Sequence, residues 1–184
     1  MSLAEFYTIG HSNRSIEAFI HLLEHVRADV LIDVRTIPKS RHNPQFNADA
    51  LAKSLQDVSI AYRRLPDLGG LRSARKGQGA SPNGFWENDS FRNYADYAET
   101  PQFKAGLAEL RSLGNSNVCA VMCAEALWWR CHRRIITDYL LAAGEKVIHI
   151  MGEDKLEPAH LTEAAVIGPD ETITYPGSQG ELSL

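Results

Sequence analysis

The apolar positions of the chain alternate between short runs and segments in which they recur at helical spacing. Residues 7–10 predict a first strand. The next apolar residues recur every three or four positions behind Ser15, which predicts a helix with that serine as its N-cap. They are Ile16, Phe19, Ile20, Leu23 and Val26. The chain therefore opens with a predicted strand followed by a helix.

The same alternation continues along the chain. Further strands are predicted at residues 30–34, 60–65, 118–122 and 147–150, and helices at residues 48–55, 91–98, 101–112 and 128–143. This order predicts an α/β fold, a single domain with a mainly parallel sheet of about five strands and helices on both faces. We expect the domain to span residues 1–168 and the polar residues 169–184 to be a loose C-terminal tail.

A long irregular segment interrupts this alternation at residues 68–85, which contain five glycines and one proline. Loops of this length are uncommon inside compact domains and are usually functional or disordered. Arg72, Arg75 and Lys76 lie within it. We therefore expect the loop to close over an anionic ligand.

Composition excludes several classes of protein. A hydrophobic content of 44% with 23% charged residues is ordinary for a globular domain. No apolar run approaches the roughly 20 residues that cross a bilayer, and residues 1–6 lack the pattern of a signal peptide. We expect a cytoplasmic protein that does not associate with membranes. The sequence identifies neither a cofactor nor an oligomeric state.

The net charge of -4 gives no overall attraction to nucleic acid, but the basic residues are clustered. The clusters are Arg35, Lys39 and Arg41; Arg63, Arg64, Arg72, Arg75 and Lys76; and Arg130, Arg133 and Arg134. Each one alone is typical of a solvated face. Together they would make a positive site for an anionic small molecule or a nucleic acid.

Reactive side chains follow four of the predicted strands. They are His11 and Ser12, then Asp33 and Arg35, then Asp67, and finally Cys123 and Glu125. In parallel sheets, ligands bind outside the carboxyl ends of the strands, where such side chains meet. The sequence therefore predicts one concave site at this edge of the sheet.

The three cysteines, an odd number crowded together, argue against a disulfide framework. Cys123 ends a strand before a helix-forming segment, where a thiol pKa is lowered, so we predict it as a nucleophile. The alternative is a buried packing thiol. Cys119 lies within a strand and Cys131 falls on the apolar face of a predicted helix, so both are expected to be shielded.

Three further residues are candidates for acid and base catalysis: His11, Asp33 and Glu125. Alternatively, Glu125 is a helix N-terminal acid and Asp33 pairs with Arg35, since a carboxylate ending an apolar run needs a partner. Side chains predicted to bind the substrate are Ser12, Arg35, Arg41, His132 and Arg133. Trp128 and Trp129 fit either base stacking or core packing.

A metal site is the weaker interpretation of the cysteines and histidines. Cys123, Cys131, His132 and His149 are suitable ligand types, but their spacing matches no common zinc pattern. We therefore predict no metal ligands.

Four blocks carry a resemblance to a known family. They are T-I-G-H-S at residues 8–12, D-V-R-T-I-P-K-S-R at residues 33–41, L-G-G at residues 68–70 and M-C-A-E-A-L-W-W-R-C-H-R-R at residues 122–134. The chain resembles the bacterial domain-of-unknown-function family 488 up to about Val166. The resemblance implies a bacterial α/β protein and the motif positions His11, Asp33, Arg35, Arg41, Cys123, Glu125, Cys131, His132 and Arg133.

These patterns predict an enzyme-like domain that binds a phosphorylated or other anionic ligand, such as a nucleotide or nucleic acid. One alternative is a nucleic-acid-binding module without catalysis, in which the basic clusters contact phosphates. A second alternative is a metal- or redox-active Cys/His protein.

Overall fold

The computed structural model describes residues 4–77 and 79–178. Six strands form one sheet: β1 (Glu5–Gly10), β2 (Val30–Asp33), β3 (Ala61–Arg64), β4 (Cys119–Cys123), β5 (Lys146–Gly152) and β6 (Lys155–Pro158). Their order is β3-β2-β4-β1-β5-β6, and all neighbours are parallel except the antiparallel pair of β5 and β6. The predicted α/β fold with a mainly parallel sheet is confirmed, and β6 is the strand that the sequence patterns missed.

Helices cover both faces of this sheet. They are α1 (Ile16–His25), α2 (Ala48–Gln56), α3 (Asp89–Tyr97), α4 (Pro101–Gly114) and α5 (Arg133–Ala142). Successive strand residues point to opposite faces. On β2, Leu31 packs in the core beneath α1 and α2, whereas Val30 and Ile32 pack in the larger core with α3, α4 and α5. The sheet is therefore buried on both sides, which leaves the strand ends as the place for a site.

The end of β1 packs tightly against the segment that follows β4. A Cβ atom on Gly10 would lie 1.9 Å from the backbone oxygen of Glu125. The backbone nitrogen of His11 also donates to the carbonyl of Cys123 at 3.0 Å. A residue larger than glycine at position 10 would displace the loop that carries Glu125.

The predicted helix over residues 128–143 is interrupted. Residues Trp128–Arg130 form a single 3-10 turn, Cys131 is extended, and α5 begins only at Arg133. The expectation that Cys131 lies on an apolar helix face is therefore wrong. Apolar residues at helical spacing continue through this break, which is why the pattern did not reveal it.

Hydrogen bonds and packing hold the second half of the long loop, residues 68–85, against the rest of the domain. Ser81 and Asn83 both donate to the Asp96 carboxylate on α3, at 2.5 and 2.7 Å. Trp86 is buried and stacks on Phe91. Residues 71–77 are largely exposed. Closure of this exposed part over a ligand stays a prediction.

The chain end is partly built into the core. Strands β7 (Val166–Ile167) and β8 (Ile173–Thr174) pair antiparallel, and Ile173 and Tyr175 are fully buried. The Tyr175 hydroxyl donates to the Asp138 carboxylate at 2.8 Å. The prediction of a loose tail is therefore wrong for residues 173–175, because one aromatic ring in a polar stretch gives no periodic signal. Residues 179–184 of the predicted tail lie outside the described part.

Among residues 4–77 and 79–178, no helix has the length and apolar character needed to span a bilayer.

We expect Tyr175→Ala to lower the free energy of unfolding by about 3–5 kcal/mol, as for other large buried aromatic residues. The cause is the loss of a fully buried ring together with its hydrogen bond to Asp138. Urea denaturation measures the change. Ser178→Ala, at an exposed position nearby, is the control and should leave stability unchanged. Equal stability of the two variants would show that this segment contributes nothing to the core.

Candidate functional site

A cavity of about 330 Å³ opens among the segments that follow β2 and β4. Its lining comes from four parts of the chain: residues 35–39, the Gly70 and Leu71 pair, helix α3, and residues 123–132. The first and last of these follow neighbouring parallel strands at their carboxyl ends. The cavity therefore lies where parallel-sheet geometry favours a ligand site.

Four of the predicted site residues line this cavity: Arg35, Cys123, Glu125 and His132. Three others, His11, Asp33 and Arg133, are buried behind its wall. Ser12 and Arg41 are not among the lining residues, and Arg41 is exposed. The structure thus brings seven of the nine predicted residues to one region, and it separates those that can touch a ligand from those that support the wall.

Both oxygens of the Asp33 carboxylate are hydrogen-bonded within the protein. It forms a two-point ion pair with Arg35, with Nε to Oδ1 at 2.9 Å and NH2 to Oδ2 at 2.8 Å. It also accepts hydrogen bonds from the Arg35 backbone and the Tyr62 hydroxyl. The alternative interpretation, an ion-pair partner for Arg35, is confirmed. With every oxygen engaged and no exposed surface, this carboxylate has no lone pair directed at the cavity.

His11 is held in a similar way. Its Nδ1 donates to the Ser12 carbonyl at 2.8 Å, and its Nε2 accepts from Arg35 NH1 at 3.3 Å. The ring stacks on Phe46 at 4.4 Å. Burial lowers the pKa of His11, and the neighbouring Arg35 cation adds to the shift. A neutral ring whose two nitrogens are both engaged serves to orient Arg35, rather than to carry protons.

Two of the three cysteines meet at the cavity wall. The sulfurs of Cys123 and Cys131 are 3.1 Å apart, and neither is in a disulfide. Arg133 Nε lies 3.0 Å from the Cys123 sulfur and 3.2 Å from the Cys131 sulfur. The backbone N–H of Arg133 also donates to Cys131 at 3.3 Å. One guanidinium therefore bridges both sulfurs, and Cys131 receives the additional bond.

The surroundings shift the pKa values of the two sulfurs in opposite directions. Burial by itself would raise its pKa, but the hydrogen bond from Cys123 and the contacts with Arg133 outweigh burial and lower the pKa to about 6. Cys131 also lies just before α5, where the helix dipole favours a negative charge. For Cys123, burial and the hydrogen bond to Cys131 raise the pKa well above its usual range. The expectation that Cys123 has the lowered pKa is thus corrected.

Arg133 is anchored away from the cavity. Its side chain is 0% exposed, NH1 donates to Thr8 Oγ1 at 3.1 Å, and NH2 donates to the carbonyl of Glu125 at 2.6 Å. Thr8 in turn donates to His149 Nδ1 at 2.6 Å. These bonds fix the guanidinium against both sulfurs. Arg133 therefore supports the thiolate, and its predicted direct contact with substrate gains no support from this placement.

His132 joins two walls of the site. Its Nε2 donates to the carbonyl of Val34 at 2.9 Å, which ties the start of α5 to the end of β2. Burial, together with the nearby cations Arg133 and Arg72, lowers its pKa to about 4. Gly70 lies so close to Nδ1 that a Cβ there would be 2.4 Å away. The ring is therefore neutral near neutral pH and forms part of the cavity wall.

The open part of the cavity has an apolar surface, and two cationic side chains lie at its edge. Its apolar surface comes from four residues: Ile37, Leu71, Phe91 and Tyr94. Its exposed cations are Lys39 and Arg130, and its one exposed carboxylate is that of Glu125. This arrangement suits a ligand with an apolar part and an anionic group.

Trp128 is a packing residue. Its ring stacks on His149 at 4.3 Å, and its Nε1 donates to Glu157 at 3.3 Å. Trp129 is 40% exposed and does not line the cavity. Trp128 thus packs against the sheet as a half-buried residue, and neither interpretation of this pair is decided.

Sequence patterns missed the role of Cys131 and the apolar wall contributed by α3. The signal for Cys131 was its place before Arg133, because a residue that begins a helix points its side chain at free backbone N–H groups. Phe91 and Tyr94 carry no comparable signal, since their spacing only predicts a helix face. Within the part of the chain that the structure describes, no three His, Cys, Asp or Glu side chains are grouped so that they could hold a metal ion.

Comparison with known protein families shows which family the chain belongs to. The family model described as domain of unknown function DUF488 matches residues 15–140, more than half of the chain. The chain belongs to this family. The matched segment includes the Asp33 and Arg35 pair and both site cysteines of the DUF488 domain, whereas the block at residues 8–12 precedes it. No curated protein and no solved structure gives a significant match.

We expect Asp33→Asn to destabilise the DUF488 domain by about 3–5 kcal/mol, because it leaves the buried Arg35 charge unpaired. Urea denaturation measures the loss. Asp154→Asn, at an exposed position, is the matched control and should change stability little. An Asp33→Asn protein as stable as the control would return Asp33 to the list of catalytic candidates.

Iodoacetamide should alkylate Cys131 before the other cysteines, with a rate that rises as pH passes through about 6. Cys119 should stay unmodified in the folded protein, since burial raises its pKa to about 12. Mass mapping of the alkylated peptides identifies the residue. A Cys131→Ser control should remove the fast reaction. Faster labelling of Cys123 would instead restore the original assignment of the nucleophile.

Proposed function

We propose that this site binds a small ligand with an anionic group and an apolar part, such as a nucleotide, and that the Cys131 thiolate acts on it as a nucleophile. The observation that carries this proposal is the position of the Cys131 sulfur. It lines the cavity while it accepts hydrogen bonds from the Arg133 backbone and side chain. A thiolate stabilised beside a cavity is the arrangement that nucleophilic catalysis by cysteine requires.

Charge supports the anionic part of the ligand. Lys39 and Arg130 line the cavity, and neither forms a salt bridge with another described residue. Arg35 lies deeper and is held in position by Asp33. Two exposed cations and one fixed cation face a single exposed carboxylate, that of Glu125, so the local charge favours an anion.

Size and lining support a small molecule with an apolar part. A cavity of about 330 Å³ lies at the lower end of the range for small-ligand sites, roughly 300–1,000 Å³. Phe91, which is half-buried, offers aromatic surface on the wall formed by α3, and the buried Tyr94 lies beside it. A nucleobase or another flat ring can pack there while its phosphate reaches the cations.

Several arginines of the other basic clusters form hydrogen bonds, salt bridges or stacking contacts within the protein. These contacts argue against the nucleic-acid-binding alternative. Arg63 pairs with Glu109, and Arg72 donates to two backbone carbonyls and stacks on Tyr97. Arg134 donates to Thr162 and lies over the Trp86 ring. These side chains are less available for a phosphate backbone than their sequence clustering suggests.

Protection of Cys131 from iodoacetamide tests the proposal. Adenosine monophosphate, which carries both a ring and an anion, should protect Cys131 at lower concentration than adenosine or inorganic phosphate. In Lys39→Met and Arg130→Met, half-protection should need about tenfold more adenosine monophosphate, the effect of one lost charge-assisted hydrogen bond. Lys53→Met, an exposed lysine outside the cavity, is the matched control for Lys39→Met.

Different outcomes separate the alternatives. Equal protection by adenosine and adenosine monophosphate would exclude a role for the anion. Protection by a single-stranded oligonucleotide at far lower concentration, lost steeply as salt rises, would support the nucleic-acid-binding module instead. Protection by none of these compounds would contradict a ligand site of this chemistry.

A further inference from the structure

We propose that Cys123 and Cys131 are a hydroperoxide-sensitive pair, in which Cys131 is oxidised first and Cys123 then closes a reversible disulfide. The oxidation needs no ligand, but its regulatory consequence rests on the proposed function, because the disulfide removes the nucleophile of that same site. The pair thus acts as a redox switch within the cavity wall.

The positions of the two cysteines give them different roles. Cys131 attacks the oxidant, and Cys123 then closes the disulfide. Cys131 is partly exposed and lines the cavity, so a small oxidant can reach its sulfur. Cys123 is 3% exposed at the end of β4 and lies behind it. The two sulfurs are 3.1 Å apart. Closing a disulfide requires an approach of only about 1 Å, which side-chain rotation and a small shift of the loop can supply.

The third cysteine cannot take part in this chemistry. Cys119 is fully buried within β4, and its thiol donates to the Asn117 carbonyl. It therefore serves as an internal reference for nonspecific oxidation.

The reaction has two balanced steps. In the first, the Cys131 thiolate attacks the hydroxyl-bearing oxygen of the hydroperoxide, the S–O bond forms, the O–O bond breaks, and hydroxide or alkoxide leaves and takes a proton from solvent. Sulfur gives up two electrons and becomes a sulfenic acid, whose proton comes from the hydroperoxide. In the second, the Cys123 sulfur attacks the Cys131 sulfur, the S–S bond forms, the S–O bond breaks, and the thiol proton leaves with the hydroxide as water.

Arg133 makes the disulfide easy to reduce again. In the reduced state its buried guanidinium faces the negative sulfur of Cys131. Oxidation removes that charge and leaves the cation without a negative partner, which is costly in a buried site. Because the reduced state is preferentially stabilised, the disulfide is an oxidising one that reduced glutathione can open.

Stoichiometric hydrogen peroxide on the full-length reduced protein tests the proposal, followed by alkylation under denaturing conditions and peptide mass mapping. We expect one Cys123–Cys131 disulfide per chain, with Cys119 still alkylated. Reduced glutathione should restore both thiols. In Cys123→Ser, Cys131 should stop at a sulfenic acid that dimedone traps, and in Cys131→Ser the same peroxide should leave Cys123 unoxidised.

Three results would overturn this inference. They are a disulfide that includes Cys119 or a second chain, oxidation of Cys123 in the Cys131→Ser variant, and a disulfide that reduced glutathione does not open. Circular dichroism of each variant confirms that it is folded before oxidation. Because no ligand is present, failure here leaves the protection experiment with adenosine monophosphate unaffected, and failure of that experiment leaves the disulfide result standing.

Discussion

One buried guanidinium organises this site. Arg133 has no exposed surface, yet it contacts the sulfurs of Cys123 and Cys131, the hydroxyl of Thr8 and the loop carbonyl of Glu125. A buried cation of this kind is stable only when its donors are satisfied and a negative partner is close. Hydrogen bonds with Cys123 and Arg133 lower the pKa of Cys131 to about 6, so the pKa of this sulfur and the stability of the wall depend on the same interaction.

A second buried pair fixes the opposite wall. Asp33 and Arg35 hold the residues after β2 in place, and the remaining donors of Arg35 reach His11 and the carbonyl of Phe46. His132 connects the two walls through the carbonyl of Val34. The cavity thus lies between two hydrogen-bonded networks, and Lys39, Arg130 and Glu125 are the exposed charged side chains of its lining. A division into rigid supports and exposed contacts is what a preorganised binding site requires.

The sequence by itself determined the alternation of strands and helices, the parallel sheet and the edge at which most of the candidate residues lie. Short apolar runs such as residues 30–34 favour strands buried on both faces, and parallel strands bring their carboxyl ends together. It also required a partner for Asp33, because an unpaired carboxylate ending an apolar run is costly. These inferences depend on short-range patterns and on general rules for parallel sheets.

Only the tertiary structure decided which side chains face the cavity and which sulfur carries the charge. Cys123 and Cys131 are eight residues apart, and the break before α5 places their sulfurs 3.1 Å from each other, while Arg133 at the start of α5 donates to Thr8 on another strand. Tyr175 likewise joins the core through Asp138, far away along the chain. Such contacts depend on long-range burial and hydrogen bonding, which periodicity does not encode. For that reason the sequence predicted the region of the candidate site but assigned the lowered pKa to Cys123, whereas the surroundings in the fold lower the pKa of Cys131.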